Sequence, residues 1–145
     1  MTPGAPMNPR APMKQWQVGH ELPTLIHMPS TVQLFRYSAV TWNPHRIHYE
    51  ASYAQSEGHR GPLVHSHLRA ALALRCVTES VGADYTLIGS KYRVRVPAIP
   101  GDELRYGATL AEVADDRLTF DITETLPDGS TGLEGTATVQ LRKEH

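Results

Sequence analysis

With 145 residues, 14 Lys and Arg against 15 Asp and Glu, and a formal net charge of -1, the chain has room for one hydrophobic core and no general attraction for polyanions. Nucleic acid is therefore not an expected partner, and the lack of any run of about eighteen apolar residues argues against a membrane span. The single cysteine, Cys76, excludes an intrachain disulfide; set among alanines, leucines and a valine, it is expected to be a small buried hydrophobe.

Residues 1–13 combine proline with few large apolar side chains, which predicts a flexible arm. The same stretch lacks the apolar centre of a signal peptide, so the chain is expected to be soluble and cytoplasmic. Residues 14–145 are read as one domain, with ordered structure starting near WQVGHELP. Ser30 or Thr31 can cap a helix through VQLFRYSAVTW, whose Val32, Leu34, Phe35, Ala39 and Val40 make an imperfect apolar stripe. It should stop around Asn43-Pro44, because proline disfavours the helical conformation in the residue before it. A short helical turn is expected in EASYAQSEG and a turn in GHRGP.

SHLRAALALRCVTESVG, with Ser66 as the expected N-cap and Gly82 as terminator, is apolar nearly all round and predicts a buried central helix. The period then changes from helical to two. Tyr92, Val94 and Val96 alternate with Lys91, Arg93 and Arg95, predicting a strand with one packed face. The glycines in GSKY and PGDE fit turns. Leu104, Tyr106, Ala108 and Leu110 make a second strand, Leu118, Phe120 and Ile122 a third, and Ala137, Val139 and Leu141 a fourth after an Asp-Gly turn. One buried helix followed by three or four antiparallel strands is an α+β plan in which the sheet can curl around the helix.

Five of the eight histidines lie between His45 and His67, in WNPHRIHYE and VHSH. A metal site, an acid/base centre and a polar loop without chemistry all fit that clustering. Zinc is the weakest of the three, because there is no HExxH helix and Cys76 stands alone.

The run FRYSAVTWNPHRIHYEASYAQSEGHRGPLVHSHLRAALALR, followed by KYRVRVPAIPGDEL, resembles the MaoC-like hydratases and dehydratases of the hot-dog fold. Within them it is most similar to the branch of mesaconyl-CoA hydratase-like and hydroxyacyl-thioester dehydratase proteins. The resemblance implies a curved antiparallel sheet wrapped around a long central helix, with two such units paired. It implies reversible hydration of an enoyl thioester to a 3-hydroxyacyl thioester carried on CoA or on acyl-carrier phosphopantetheine, with no redox or metal cofactor. His48 takes the place of the family's catalytic histidine. Asn43 stands where the better known pattern has aspartate, and can orient water but not accept its proton.

Other expectations come from the local residue pattern read beside that resemblance. Glu50, two residues beyond His48 on a segment taken as extended, is expected on the same side and able to assist. Backbone N–H groups at Ser66 and His67 are expected to receive the thioester oxygen. Arg46, Arg93 and Arg95 are candidates for carrier phosphates. The partner is expected to be the same chain or another MaoC-like chain. Two further readings remain: a hot-dog acyl-thioesterase, and a supporting subunit of a heteromeric dehydratase, the latter kept open by Asn43.

Overall fold

A computed structural model describes residues 13–143. Residues 1–12 of the expected arm lie outside the described residues. Met13 opens a 3-10 turn ending at Gln15, and its thioether accepts a hydrogen bond from the Tyr85 hydroxyl at 3.4 Å. The elements are β1 (Leu25–His27), α1 (Thr31–Thr41), a 3-10 turn (Arg46–His48), α2 (Ala51–Ser56), α3 (Ser66–Val81), β2 (Tyr85–Val94), β3 (Leu104–Ala114), β4 (Arg117–Thr125) and β5 (Thr131–Leu141).

All strand pairs are antiparallel and the spatial order is β1-β3-β4-β5-β2. The sheet curls against α3, which touches all five strands, and this is the α+β hot-dog arrangement. Period-two alternation explains the packing. Leu104, Tyr106, Ala108 and Leu110 from β3, Leu118, Phe120 and Ile122 from β4, and Leu133, Ala137 and Val139 from β5 are buried against Leu68, Leu72, Cys76 and Val77 of α3. Each large apolar side chain so buried contributes about 1.5–3 kcal/mol. Cys76 is buried as expected, and burial pushes its thiol pKa up.

Three sequence expectations need correction. First, β2 does not run through Val96 with one packed face. It spans Tyr85–Val94 as an edge strand, and most of it is exposed on both sides, Tyr92 included. Gly89, expected in a turn, sits inside β2 where the register with β5 shifts. The PGDE turn does form, with Gly101 at φ 91°. Second, the α1 stripe packs only through Leu34, while Val40 is 80% and Trp42 88% exposed. Ser30 caps this helix, accepting from the Gln33 N–H at 3.1 Å, and Trp42 ends it in the left-handed region at φ 52°. Third, Ser66 is the first helical residue of α3, and His65 occupies the cap with no side-chain hydrogen bond to the helix N–H groups.

Sheet and helix also meet through ions. Arg69 of α3, 1% exposed, lies against the fully buried Glu124 of β4, its Nε donating to both carboxylate oxygens at 3.1 Å and its Nη2 to Oε1. The Tyr106 hydroxyl of β3 donates to the other oxygen at 2.7 Å. Burial and the neighbouring carboxylate drive the Tyr106 pKa far up, so it remains a donor.

Candidate active site

His48 is set by local backbone chemistry. His45 Nδ1 accepts from the Ile47 N–H at 3.1 Å, and the Tyr49 and Glu50 N–H groups both reach the Arg46 carbonyl, at 3.1 and 2.8 Å. The segment is therefore a 3-10 turn running into α2, not an extended strand. That corrects the placing of Glu50. Its carboxylate closes a two-pronged ion pair on Arg46, with Nε and Nη2 each 2.7 Å from an oxygen, and Arg46 in turn lies over the Tyr53 ring at 4.6 Å. Arg46 holds the Glu50 carboxyl below its ordinary pKa.

The loop before α3 crosses this turn and is pinned to it twice. Leu63 N–H donates to the Ile47 carbonyl at 2.8 Å, and His48 Nδ1 lies 2.7 Å from the Leu63 carbonyl oxygen. A carbonyl can only accept, so Nδ1 carries the proton and Nε2 keeps its lone pair. Nε2 makes no hydrogen bond among the described residues. Burial lowers the His48 pKa, opposed by the Leu63 bond and reinforced by His45.

His65 lies directly against His48. The two rings stack with centroids 3.8 Å apart and planes 14° from parallel. His65 is 2% exposed and its Nε2 is 2.8 Å from Ser38 Oγ of α1, while Nδ1 is buried without a partner. Burial first, then His48 and His67, lower its pKa to about 4.

A cavity of about 280 Å³ opens beside these rings, lined by Tyr37, Thr41, Asn43, His48, His65, Ser66 and His67. The fold thus brings together His48, Asn43, Ser66 and His67 from the sequence-based candidates. Ser66, His67 and Leu68 are the first residues of α3, and the first intrahelical bond is Arg69 N–H to the His65 carbonyl at 3.1 Å. Their N–H groups are the unsatisfied donors of a helix start. Asn43 Oδ1 accepts from the His45 N–H at 3.3 Å, and the residue also borders an apolar groove of about 520 Å³ walled by Phe35, Ala39, Trp42, Pro44 and Tyr49.

Glu50, Arg46, Arg93 and Arg95 do not line the small cavity. Arg95 pairs with Glu134, and Arg93 is exposed near the end of β2. Sequence reasoning passed over Ser38 and the stacking role of His65. Among the described residues, no group of three His, Cys, Asp and Glu side chains is arranged to hold a metal ion, and no helix is long and apolar enough to cross a membrane.

Residues 4–100 match the hydroxyacyl-thioester dehydratase type 2 family. The chain is 36% identical over 140 residues to the mesaconyl-C(4)-CoA hydratase of Chloroflexus aurantiacus, a match covering 96% of this chain and 46% of that relative. It therefore spans about half the length of the curated relative. Among solved structures, a chain of the ChsH1-ChsH2 complex of Mycobacterium tuberculosis superposes with a TM-score of 0.81 at 20% identity, covering 87% of this chain and 98% of that one. The (R)-hydratase of A. caviae involved in PHA biosynthesis superposes with a TM-score of 0.82 at 18% identity, covering 89% and 99%. At these identities the structural likeness is one of fold.

Proposed function

Because the chain belongs to the hydroxyacyl-thioester dehydratase type 2 family, we propose that it catalyses reversible addition of water to an enoyl thioester, giving a 3-hydroxyacyl thioester. The observation that carries this reading is the fixed tautomer of His48 beside a small polar cavity. Its Nδ1 proton is held by Leu63, so the Nε2 lone pair is the base.

In the hydration direction Nε2 takes a proton from water as the water oxygen bonds to Cβ. The C=C electrons move toward the carbonyl, and the thioester oxygen becomes an enolate received by the N–H groups of Ser66 and His67. The Nε2 proton then passes to Cα, the carbonyl re-forms and His48 is neutral again. Dehydration is the same path reversed. A His48 pKa below the usual value keeps the ring unprotonated at neutral pH, as the first step requires.

Asn43 orients the water through its amide. Glu50 serves the site indirectly, holding Arg46 against Tyr53 and so stiffening the turn that carries His48. The carrier, CoA or acyl-carrier phosphopantetheine, arrives with the substrate. Arg93, which has no ion pair among the described residues, is the favoured contact for its phosphates, ahead of the paired Arg46 and Arg95.

A second hot-dog unit, the same chain or a different one, completes the assembly. Support comes from the open edge of β2, ten residues long, and from the doubled length of the curated relative. Sedimentation showing a monomer at tens of micromolar protein would remove this part.

The activity is tested by incubating purified protein with a panel of enoyl- and 3-hydroxyacyl-CoA thioesters, following the mass of one water and free CoA together. The expected result is a water mass change without CoA release. CoA release instead would identify a thioesterase, and inactivity on every substrate until a second hot-dog chain is added would identify a supporting subunit.

A further inference from the structure

We propose that His65 is a positioning residue for His48: anchored to Ser38, its neutral ring is the plate that holds the His48 imidazole in one orientation and keeps water from one of its faces. The inference rests on the assignment of His48 as acid/base and adds a residue to it.

The protonation state of His65 follows from its contacts. Its Nε2 has an oxygen partner in Ser38 at 2.8 Å, whereas Nδ1 is buried with none. An orphaned N–H donor is rarer in folded proteins than a bare acceptor, so the proton belongs on Nε2, donated to Ser38 Oγ. A second proton on Nδ1 would add a buried donor without an acceptor and a positive charge. That charge would lie at the N-terminal end of α3, where the helix dipole is also positive. His65 is thereby held neutral.

Neutrality matters because of the stack. At 3.8 Å and 14°, two imidazolium rings would repel strongly, and only one can carry charge at a time. The groups facing the pair are Tyr37 and Ser38 from α1, with the Tyr37 ring 4.8 Å from His65, His45 from the cap of the 3-10 turn at 6.1 Å from His48, and His67 from α3. No carboxylate lines the cavity to stabilise an imidazolium. The Leu63 carbonyl fixes His48 in its ring plane and His65 fixes it from the face, so the ring has no second orientation in which Nε2 is turned away.

The test compares wild type, His65→Ala, His65→Phe and Ser38→Ala in the hydration of crotonyl-CoA across pH, with a parallel NMR titration of the His48 imidazole. The expected His65→Ala result is a rise of the acid-limb pKa in kcat/KM toward the ordinary 6.5, because one face of the His48 ring is opened to water. Turnover should fall roughly tenfold, with KM changing far less. His65→Phe restores a flat ring without nitrogens and should return the limb toward wild type. Loss of activity at every pH with an unmoved limb would make His65 merely structural and overturn the proposal. If His65→Ala does not fold, Ser38→Ala decides: a raised His48 pKa by NMR supports the plate, an unchanged one overturns it. Activity that survives His48→Ala would sink the base assignment instead, while the NMR titration still reports on His65.

Discussion

Two buried polar clusters sit one turn apart at the start of α3, one on its cap residue His65 and one on Arg69, and they differ in how completely they are satisfied. Arg69 is 1% exposed and His65 2%, and the Arg69 N–H bonds to the His65 carbonyl. Arg69 meets both oxygens of the Glu124 carboxylate with Nε and one with Nη2, and the Tyr106 hydroxyl also donates to Oε2. His65 has one partner, one orphan nitrogen and a ring against His48 at the wall of a cavity. The Arg69 cluster locks helix to sheet, because every charge in it is answered. Burial alone does not separate the two; an unanswered nitrogen beside open space marks the cluster suited to chemistry.

The sharpest way to break that contrast is to remove one member from each cluster. His48→Ala should lower kcat for hydration by about 10²–10⁴, the usual worth of a positioned acid/base. Urea unfolding should stay within about 1 kcal/mol of wild type, because the half-buried ring leaves only the Leu63 carbonyl unpaired. Glu124→Ala should do the reverse. It leaves a buried guanidinium without its counter-ion and should cost about 3–5 kcal/mol in urea, with turnover per folded molecule little changed. The double replacement Arg69→Met with Glu124→Leu should recover most of that loss, since a well-packed apolar pair does not have to bury charge. Equal loss in the single and double variants would mean that the cluster acts through shape rather than charge.

Gly132 sharpens the same point from the β5 side. A Cβ there would overlap Glu124 Oε1 and come within 2.6 Å of Arg69 Nη2. Gly132→Ala should therefore lose about 2–3 kcal/mol by overpacking, again with turnover per folded molecule preserved. A neutral result would show that the ion cluster can shift to make room.

How much of this was legible depends on where each signal lives. β3, β4, β5 and α3 were readable because each buries one face and the residue pattern follows, although α3, expected to be buried nearly all round, leaves Ala71, Arg75, Thr78 and Glu79 exposed. β2 misled because an edge strand can alternate apolar and basic residues without a packed side, and β1 is too short for any period to show. Glu50 was misplaced although the correcting signal was present. Arg46 and Glu50 stand four apart, the spacing of a helical ion pair. Glu124 continues the inward parity of Leu118, Phe120 and Ile122, so a buried carboxylate was visible, but nothing local tied it to Arg69, 55 residues away. Ser38 and His65, 27 residues apart, meet only because α1 folds over the start of α3. The hydrogen bond and the orphan nitrogen exist in three dimensions alone.

The smallest expected effect tests the other half of the contrast, namely that His65 is buried neutral. Its pKa is about 4 in the folded chain against 6.5 when exposed. Between those values the unfolded chain binds more protons at this side chain, so stability falls as pH drops through 6.5 and continues to fall until about 4. The loss attributable to His65 at pH 4.5 is roughly 2 kcal/mol. His48, also lowered, acts in the same direction, and the depressed carboxyls of Glu50 and Asp128 add losses at the acid end. Urea midpoints of wild type and His65→Phe, compared at pH 8 and pH 4.5, isolate the one ring from the rest. The Phe variant should lose less stability on acidification, because it has no nitrogen to charge. Arg69 and Glu124 are present in both proteins, so their cluster cancels from the comparison. Parallel losses in the two proteins would mean that His65 takes up its proton in the folded state as readily as in the unfolded one, and its orphan nitrogen would then have to find a partner on acidification.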